Sequence, residues 1–162
     1  MKILMVCLGN ICRSPLADGL LRKKVQEHKL DVYVDSAGTA NYHVGGAPDK
    51  RMTETAKRKD VDISGLQARQ FIVADFDTFD LIYVMDHSNY DNVVRLARNE
   101  DDRSKVQLIL ELLPKQMEIE VPDPYYGGQD GFEHVFDLLD KSTDIILNNL
   151  RHEQSRNIIY TS

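Results

Sequence analysis

The chain has 162 residues, of which 42% are hydrophobic and 28% charged, the size and make-up of one globular domain with a full core. Its formal charge of −6 argues against a nucleic-acid surface, which calls for a basic excess, and no apolar run approaches the ~20 residues of a membrane span. Met1-Lys2-Ile3 does not open a secretory signal, two cysteines make no disulfide framework, and the five histidines lack metal-ligand spacing, so the expectation is a cytoplasmic protein without metal or other cofactor.

Residues 2–6 are almost wholly apolar, the pattern of a strand covered on both faces. Ser14 and Pro15 read as the cap and first residue of a helix running to about Lys29, with Leu16, Leu20, Leu21 and Val25 on one face. Residues 31–35 alternate with period two and read as a second strand. The glycine-rich stretch 36–48 reads as loop, and a helix follows from about Asp49 to Lys59. After a loop at 60–74, residues 79–85 form a third strand. A helix from about Ser88 to Arg98 leads through the acidic turn 99–102 to a fourth strand at 106–109. Pro114, Pro122, Pro124, Gly127 and Gly128 mark 110–130 as mostly loop, and a last helix covers about Gly131 to Leu150. From Arg151 the chain is polar and is expected to fray, with Ile158-Ile159-Tyr160 as a segment able to dock.

Strands alternating with helices predict one α/β domain over 1–150, built on a parallel sheet with helices on both faces, and a polar tail over 151–162. In such sheets ligands sit beyond the carboxyl ends of the strands. Cys7, Ser36 and Asp86 each follow a predicted strand, so one rim is expected to gather them.

The string Cys7-Leu8-Gly9-Asn10-Ile11-Cys12-Arg13-Ser14-Pro15 links the first strand to the first helix. A tight loop entering a helix N-terminus makes an anion cradle, because loop N–H groups and the helix dipole converge on one point. Gly9 and Asn10 tolerate left-handed torsions there. A cysteine beside a helix N-terminus and an arginine loses its proton far more readily than a free thiol, so Cys7 is expected to be a thiolate nucleophile. Arg13 offers a planar fork that matches two oxygens of a tetrahedral oxyanion. A positive charge at the positive end of a helix also calls for an anion between them. Ser14 can donate to the sulfur, cap the helix, or do both in turn.

This string is similar to the signature of the low-molecular-weight protein tyrosine phosphatases, Cys-x5-Arg followed by Ser. The blocks Asp35-Ser36-Ala37-Gly38-Thr39, Ala68-Arg69-Gln70, Met85-Asp86-His87-Ser88-Asn89 and Asp123-Pro124-Tyr125-Tyr126-Gly127 resemble family blocks in family order. The resemblance implies a four-stranded sheet in the flavodoxin-like order 2-1-3-4. It also implies hydrolysis of phosphotyrosine and small aryl phosphates through a cysteinyl-phosphate, with Cys7, Arg13 and Asp123 catalytic. Residues 8–12 and Ser14 would bind the phosphate. Protonating a phenolate as its bond to phosphorus breaks contributes roughly 10²–10⁴ in rate. Asp123, stiffened by Pro122 and Pro124, is the acid that the resemblance supplies. It also implies that Asn10 and Ser36 support the loop, although Ser36 would equally satisfy a simple turn. Gln67 stands where many relatives have a histidine in that network. Tyr42 and Tyr125 are candidate pocket walls, against the plainer reading of half-exposed loop tyrosines, and Tyr125 and Tyr126 are candidate phosphorylation sites. Cys12 is either filler in a tight turn or the partner that traps oxidised Cys7 as a disulfide, the role the resemblance favours.

Two other functions compete. Arsenate reduction on the same fold relays oxidation through cysteines outside the loop, and Cys7 and Cys12 are the whole set. A non-catalytic phosphotyrosine-binding module would lack the nucleophile or the acid, and both are present. The expected partner is a tyrosine-phosphorylated protein, a tyrosine kinase among the candidates, met by a monomer or weak dimer without nucleic acid or membrane.

Overall fold

The computed structural model describes residues 1–114, 118–125 and 127–161, the last by its backbone. Strands β1 (Lys2–Cys7), β2 (Tyr33–Gly38), β3 (Leu81–Val84) and β4 (Val106–Leu108) form one parallel sheet in the order β2-β1-β3-β4. This is the order expected from the resemblance. Helices α1 (Arg13–Glu27), α2 (Lys50–Arg58), α3 (Asp75–Thr78), α4 (His87–Arg95), α5 (Glu100–Ser104) and α6 (Gln129–Thr161) complete the chain, with a 3₁₀ turn at Ile109–Leu112.

The apolar run of β1 is explained by its two buried faces. Ile3, Met5 and Cys7 point into one core with Leu16, Leu20 and Phe132, while Leu4 and Val6 point into the other with Phe71, Phe76 and Val93. The first core lies under α1 and α6, which pack on each other. Truncating a buried leucine in such a layer costs about 2–5 kcal/mol. Parallel pairing then sets the rim: Cys7 stands beside Gly38, and Val6 beside both Ala37 and Val84.

Several boundaries differ from expectation. Strand β2 starts at Tyr33, where its N–H meets the Met1 carbonyl (3.0 Å), so Ser36 lies inside the strand instead of after it. Helix α1 starts at Arg13, before the expected cap, because the Ser14 hydroxyl is committed elsewhere and no side chain caps the helix. Asp86, not Ser88, opens α4, with its carboxylate accepting from the Asn89 N–H. That helix stops at Arg95, and Arg98 instead pairs with Asp77 and Asp102. The acidic turn is itself the short helix α5, capped by Asn99. The expected fraying tail is instead helical through Thr161. At 1.5 Å per residue α6 is about 50 Å long, with residues 151–160 exposed. No Gly or Pro follows Gly131, and Arg151, Glu153, Gln154 and Arg156 favour helix, so the packed part propagates outward. Ile158, Ile159 and Tyr160, the segment able to dock, are exposed by 61, 71 and 87%. Among the described residues no helix is long and apolar enough to cross a membrane.

Candidate active site

Between the end of β1 and the start of α1 the chain turns around the Cys7 sulfur. Asn10 takes the left-handed conformation at φ 57°, which costs a residue with a Cβ about 1–2 kcal/mol. Its side chain holds it there. Asn10 Nδ2 donates to Ser14 Oγ (2.8 Å) and Ser36 Oγ (2.9 Å), and its Oδ1 accepts from the Arg69 backbone N–H (3.0 Å). Gly38 allows β2 to come close: a Cβ there would lie 2.7 Å from the Leu8 carbonyl oxygen. The carbonyls of Cys7, Leu8 and Ile11 accept from the N–H groups of Thr39, Ala40 and Asp49 at 2.8–2.9 Å. The N–H groups of Leu8, Gly9, Ile11, Cys12 and Arg13 have no partner among the described residues. Outward carbonyls and unspent donors are what an anion cradle requires.

Two donors address the sulfur itself. The Asn10 N–H points at Cys7 Sγ over 3.3 Å, and Ser14 Oγ lies 3.0 Å from it. The Ser14 hydroxyl already accepts from Asn10, and its other acceptor, the Ala37 carbonyl, is farther at 3.4 Å. Both cysteines are buried and free. Burial, with the nearby negative groups of Asp49, Cys7 and Asp123, pushes the Cys12 thiol far above its ordinary value, so Cys12 keeps its proton.

Arg13 is 3% exposed. One of its terminal nitrogens donates to Asp86 Oδ2 (2.7 Å) and the Val121 carbonyl (3.1 Å), and the other lies 3.5 Å from Asp123 Oδ2. Burial works against its charge, but the Cys7 sulfur, the Asp86 hydrogen bond and the Asp123 carboxylate outweigh that and push its proton affinity above the ordinary arginine value. Asp86 thus has two tasks, one oxygen capping α4 and the other fixing Arg13. Asp123 Oδ1 accepts from the Tyr125 N–H (3.1 Å), and its side chain is 37% exposed.

One cleft collects these groups: Cys7, Cys12, Arg13 and Asp123 line it together with Tyr42, His43 and Tyr125. Leu8, Gly9 and Ile11 line it as well. Ser36 does not line the cleft; it supports the loop from beneath through Asn10. Gln67 makes no side-chain hydrogen bond among the described residues, and the contact to Asn10 at that place comes from Arg69 instead. The Arg69 N–H already serves Asn10 Oδ1 at 3.0 Å. Tyr126 lies outside the described residues.

The sequence reading placed Asp86 on the rim without giving it a task and missed His43 altogether. His43 packs against Tyr125, with ring centroids 6.3 Å apart, and its ring would lie 3.1 Å from a Cβ at Gly9. The adjacency of Tyr42 and His43 in a loop facing the predicted rim was the available signal. Beneath the loop Asp18 is fully buried, and burial pushes its carboxyl up to about 6 despite the pairing with Arg22.

Comparison with known proteins supplies an independent line. The family model described as low molecular weight phosphotyrosine protein phosphatase matches residues 2–156. The chain is 46% identical to a Synechocystis protein whose name places it among low molecular weight protein-tyrosine-phosphatases, over 94% of this chain and 98% of that one. It is 40% identical to the low molecular weight phosphotyrosine protein phosphatase of Schizosaccharomyces pombe, over 90% and 94% of the two chains. Its structure is similar to that of a protein tyrosine phosphatase from Entamoeba histolytica, with a TM-score of 0.89, 36% identity and coverage of 95% and 99%.

Proposed function

The chain belongs to the low molecular weight phosphotyrosine protein phosphatase family, and from that premise we propose that it hydrolyses phosphotyrosine through a phosphoryl group carried on Cys7, with Arg13 as clamp and Asp123 as acid and then base. The observation that carries this assignment is the convergence of Cys7, Arg13 and Asp123 on one cleft. Its protein substrates carry phosphotyrosine, as the family name states.

In the first step the Cys7 sulfur attacks phosphorus. An S–P bond forms, the P–O bond to the aryl group breaks, and the departing phenolate takes the proton of Asp123. In the second step a water attacks the cysteinyl-phosphate. Asp123, now a carboxylate, takes the water's proton, the S–P bond breaks, and inorganic phosphate and the free sulfur anion result. The loop N–H groups and Arg13 face the equatorial oxygens, where charge concentrates in both transition states. Because Asp86 and the Val121 carbonyl already hold Arg13, little rotamer freedom is lost when the phosphate arrives.

Tyr42, His43 and Tyr125 line the same cleft as the buried Cys7 sulfur and supply its aromatic walls. Phosphotyrosine is expected to turn over at least about 100-fold faster than phosphoserine, whose phosphorus sits closer to its backbone and meets the sulfur less well. Comparable rates on the two esters, measured by phosphate release, would remove the wall assignment. Thiol-dependent reduction of arsenate in the same assay would reject the hydrolase reading.

Cys12 supports a second property of the site. Peroxide oxidises the Cys7 sulfur to a sulfenic acid. The Cys12 thiol then gives up its proton as its sulfur attacks, the S–O bond breaks, and hydroxide leaves with that proton as water, giving a disulfide that added thiol reduces. Inactivation by peroxide is expected to reverse with thiol in the unmodified protein and to become largely irreversible in Cys12→Ser. Equal recovery in both proteins leaves Cys12 as filler.

A further inference from the structure

Arg51 lies on α2, outside the catalytic set. Its Nε and one terminal nitrogen donate to the two carboxylate oxygens of Asp49 at 3.3 and 3.1 Å, and that terminal nitrogen also donates to the Tyr125 carbonyl at 2.8 Å. The guanidinium carbon lies 5.5 Å from the ring centre of Tyr125 and 4.7 Å from that of Phe132. Two further bonds extend this arrangement in opposite directions. The Asp49 N–H donates to the Ile11 carbonyl of the phosphate loop (2.8 Å), and the Tyr125 N–H donates to Asp123 Oδ1 (3.1 Å). A continuous path therefore runs from Ile11 through Asp49, Arg51 and Tyr125 to Asp123.

We propose that Arg51 is a positioning residue for the proton donor, a strut that fixes the distance between the phosphate loop and the Asp123 carboxylate. The proposal rests on Asp123 being the acid. Proton donation to the leaving oxygen tolerates little misplacement, since an error of about 1 Å can cost 10²-fold in rate. Pro122 and Pro124 stiffen the backbone on either side of Asp123, but they do not tie that segment to the opposite wall of the cleft. Arg51 does so, with a planar fork that serves Asp49 and the Tyr125 carbonyl at once while its faces meet two rings. A lysine carries the charge but has no fork and no flat face. With the Arg51 side chain 44% exposed, its ion pair with Asp49 adds little to stability, and what the arrangement offers is geometry.

The test compares Arg51→Met and Arg51→Lys, each in the unmodified and the Asp123→Ala backgrounds. Substrates are phosphotyrosine, which has a poor leaving group, and dinitrophenyl phosphate, whose leaving group needs no proton. Vanadate inhibition reports the phosphate loop. Both Arg51 variants are expected to slow phosphotyrosine about tenfold, to leave the activated ester within about twofold and vanadate affinity unchanged, and to add no loss in the Asp123→Ala background. Equal loss on both esters, additive loss with Asp123→Ala, weakened vanadate binding, or full phosphotyrosine activity in either Arg51 variant overturns the strut. If Arg51→Met does not fold, Arg51→Lys, which keeps the charge and the aliphatic stem, carries the same test. Asp123→Ala alone separates the two levels. If it shows no leaving-group dependence, the acid assignment falls. If it does and the Arg51 variants do not, only the strut falls.

Discussion

Replacing Cys7 with serine is expected to abolish phosphotyrosine turnover while leaving phosphate or vanadate binding intact. A hydroxyl occupies nearly the same place, but it is not ionised at neutral pH, and the donors around it cannot make it a comparable nucleophile. The cradle does not depend on the sulfur. Asn10 still holds the left-handed turn through Ser14, Ser36 and Arg69, and Arg13 is still held by Asp86 and Val121. Oxyanion affinity should therefore survive a loss of rate greater than about 100-fold, equivalent to about 2.7 kcal/mol of transition-state stabilisation. Vanadate inhibition and phosphate release on the same preparation check both halves. Residual turnover above about a hundredth would count against Cys7 as the attacking group. Loss of vanadate binding would mean that the sulfur also organises the loop.

Asp123→Ala is expected to lower the rate on phosphotyrosine by about 10²–10⁴ and to affect esters of strongly acidic phenols much less. The contrast follows from the role: a proton matters most to a leaving group that departs badly without one. The structure adds a competing effect. Asp123 lies 3.5 Å from Arg13 and accepts the Tyr125 N–H, so removing it also frees Arg13 of one neighbour and the loop of one tie. A purely positional Asp123 would slow good and poor leaving groups alike. Rates over a series of substituted phenyl phosphates separate the two, and a slope unchanged from that of the unmodified protein would rule out the acid.

The parts of this architecture that the sequence made legible are those written by short-range pattern. The apolar run 2–6, the period of the helices and the Cys7–Pro15 string are local, and the strand order followed from the resemblance that the string carries. What the sequence hid was decided by contacts between distant residues. Asp86 looks like any residue closing a strand until Arg13 is brought to it from 73 positions away. Ser14 could cap the helix or face the sulfur, and only the fold shows Asn10 and Cys7 claiming its hydroxyl. Arg51 and His43 sit on segments whose composition says only helix start and loop. The short helices α3 and α5 are too brief for periodicity to register. The extension of α6 is a different case, because the absence of any breaker after Gly131 was available in the sequence.

The order of the sheet has a consequence for how the protein becomes active. Neighbouring parallel strands are joined only through crossovers, and Arg13 meets Asp123 across 110 residues of chain. Cys7 and Arg13 are close in sequence, but Asp86 reaches Arg13 only after β3 has been laid beside β1, and Asp123 only after the chain has returned over the rim. Contacts of such long range form slowly because loop closure precedes any reward from them. During that interval Cys7 has only its neighbours in the loop, Asn10 and Ser14, and not the distant carboxylates around Arg13. The cleft that gathers Cys7, Arg13 and Asp123 is therefore completed by the contacts of longest range in the chain's rim.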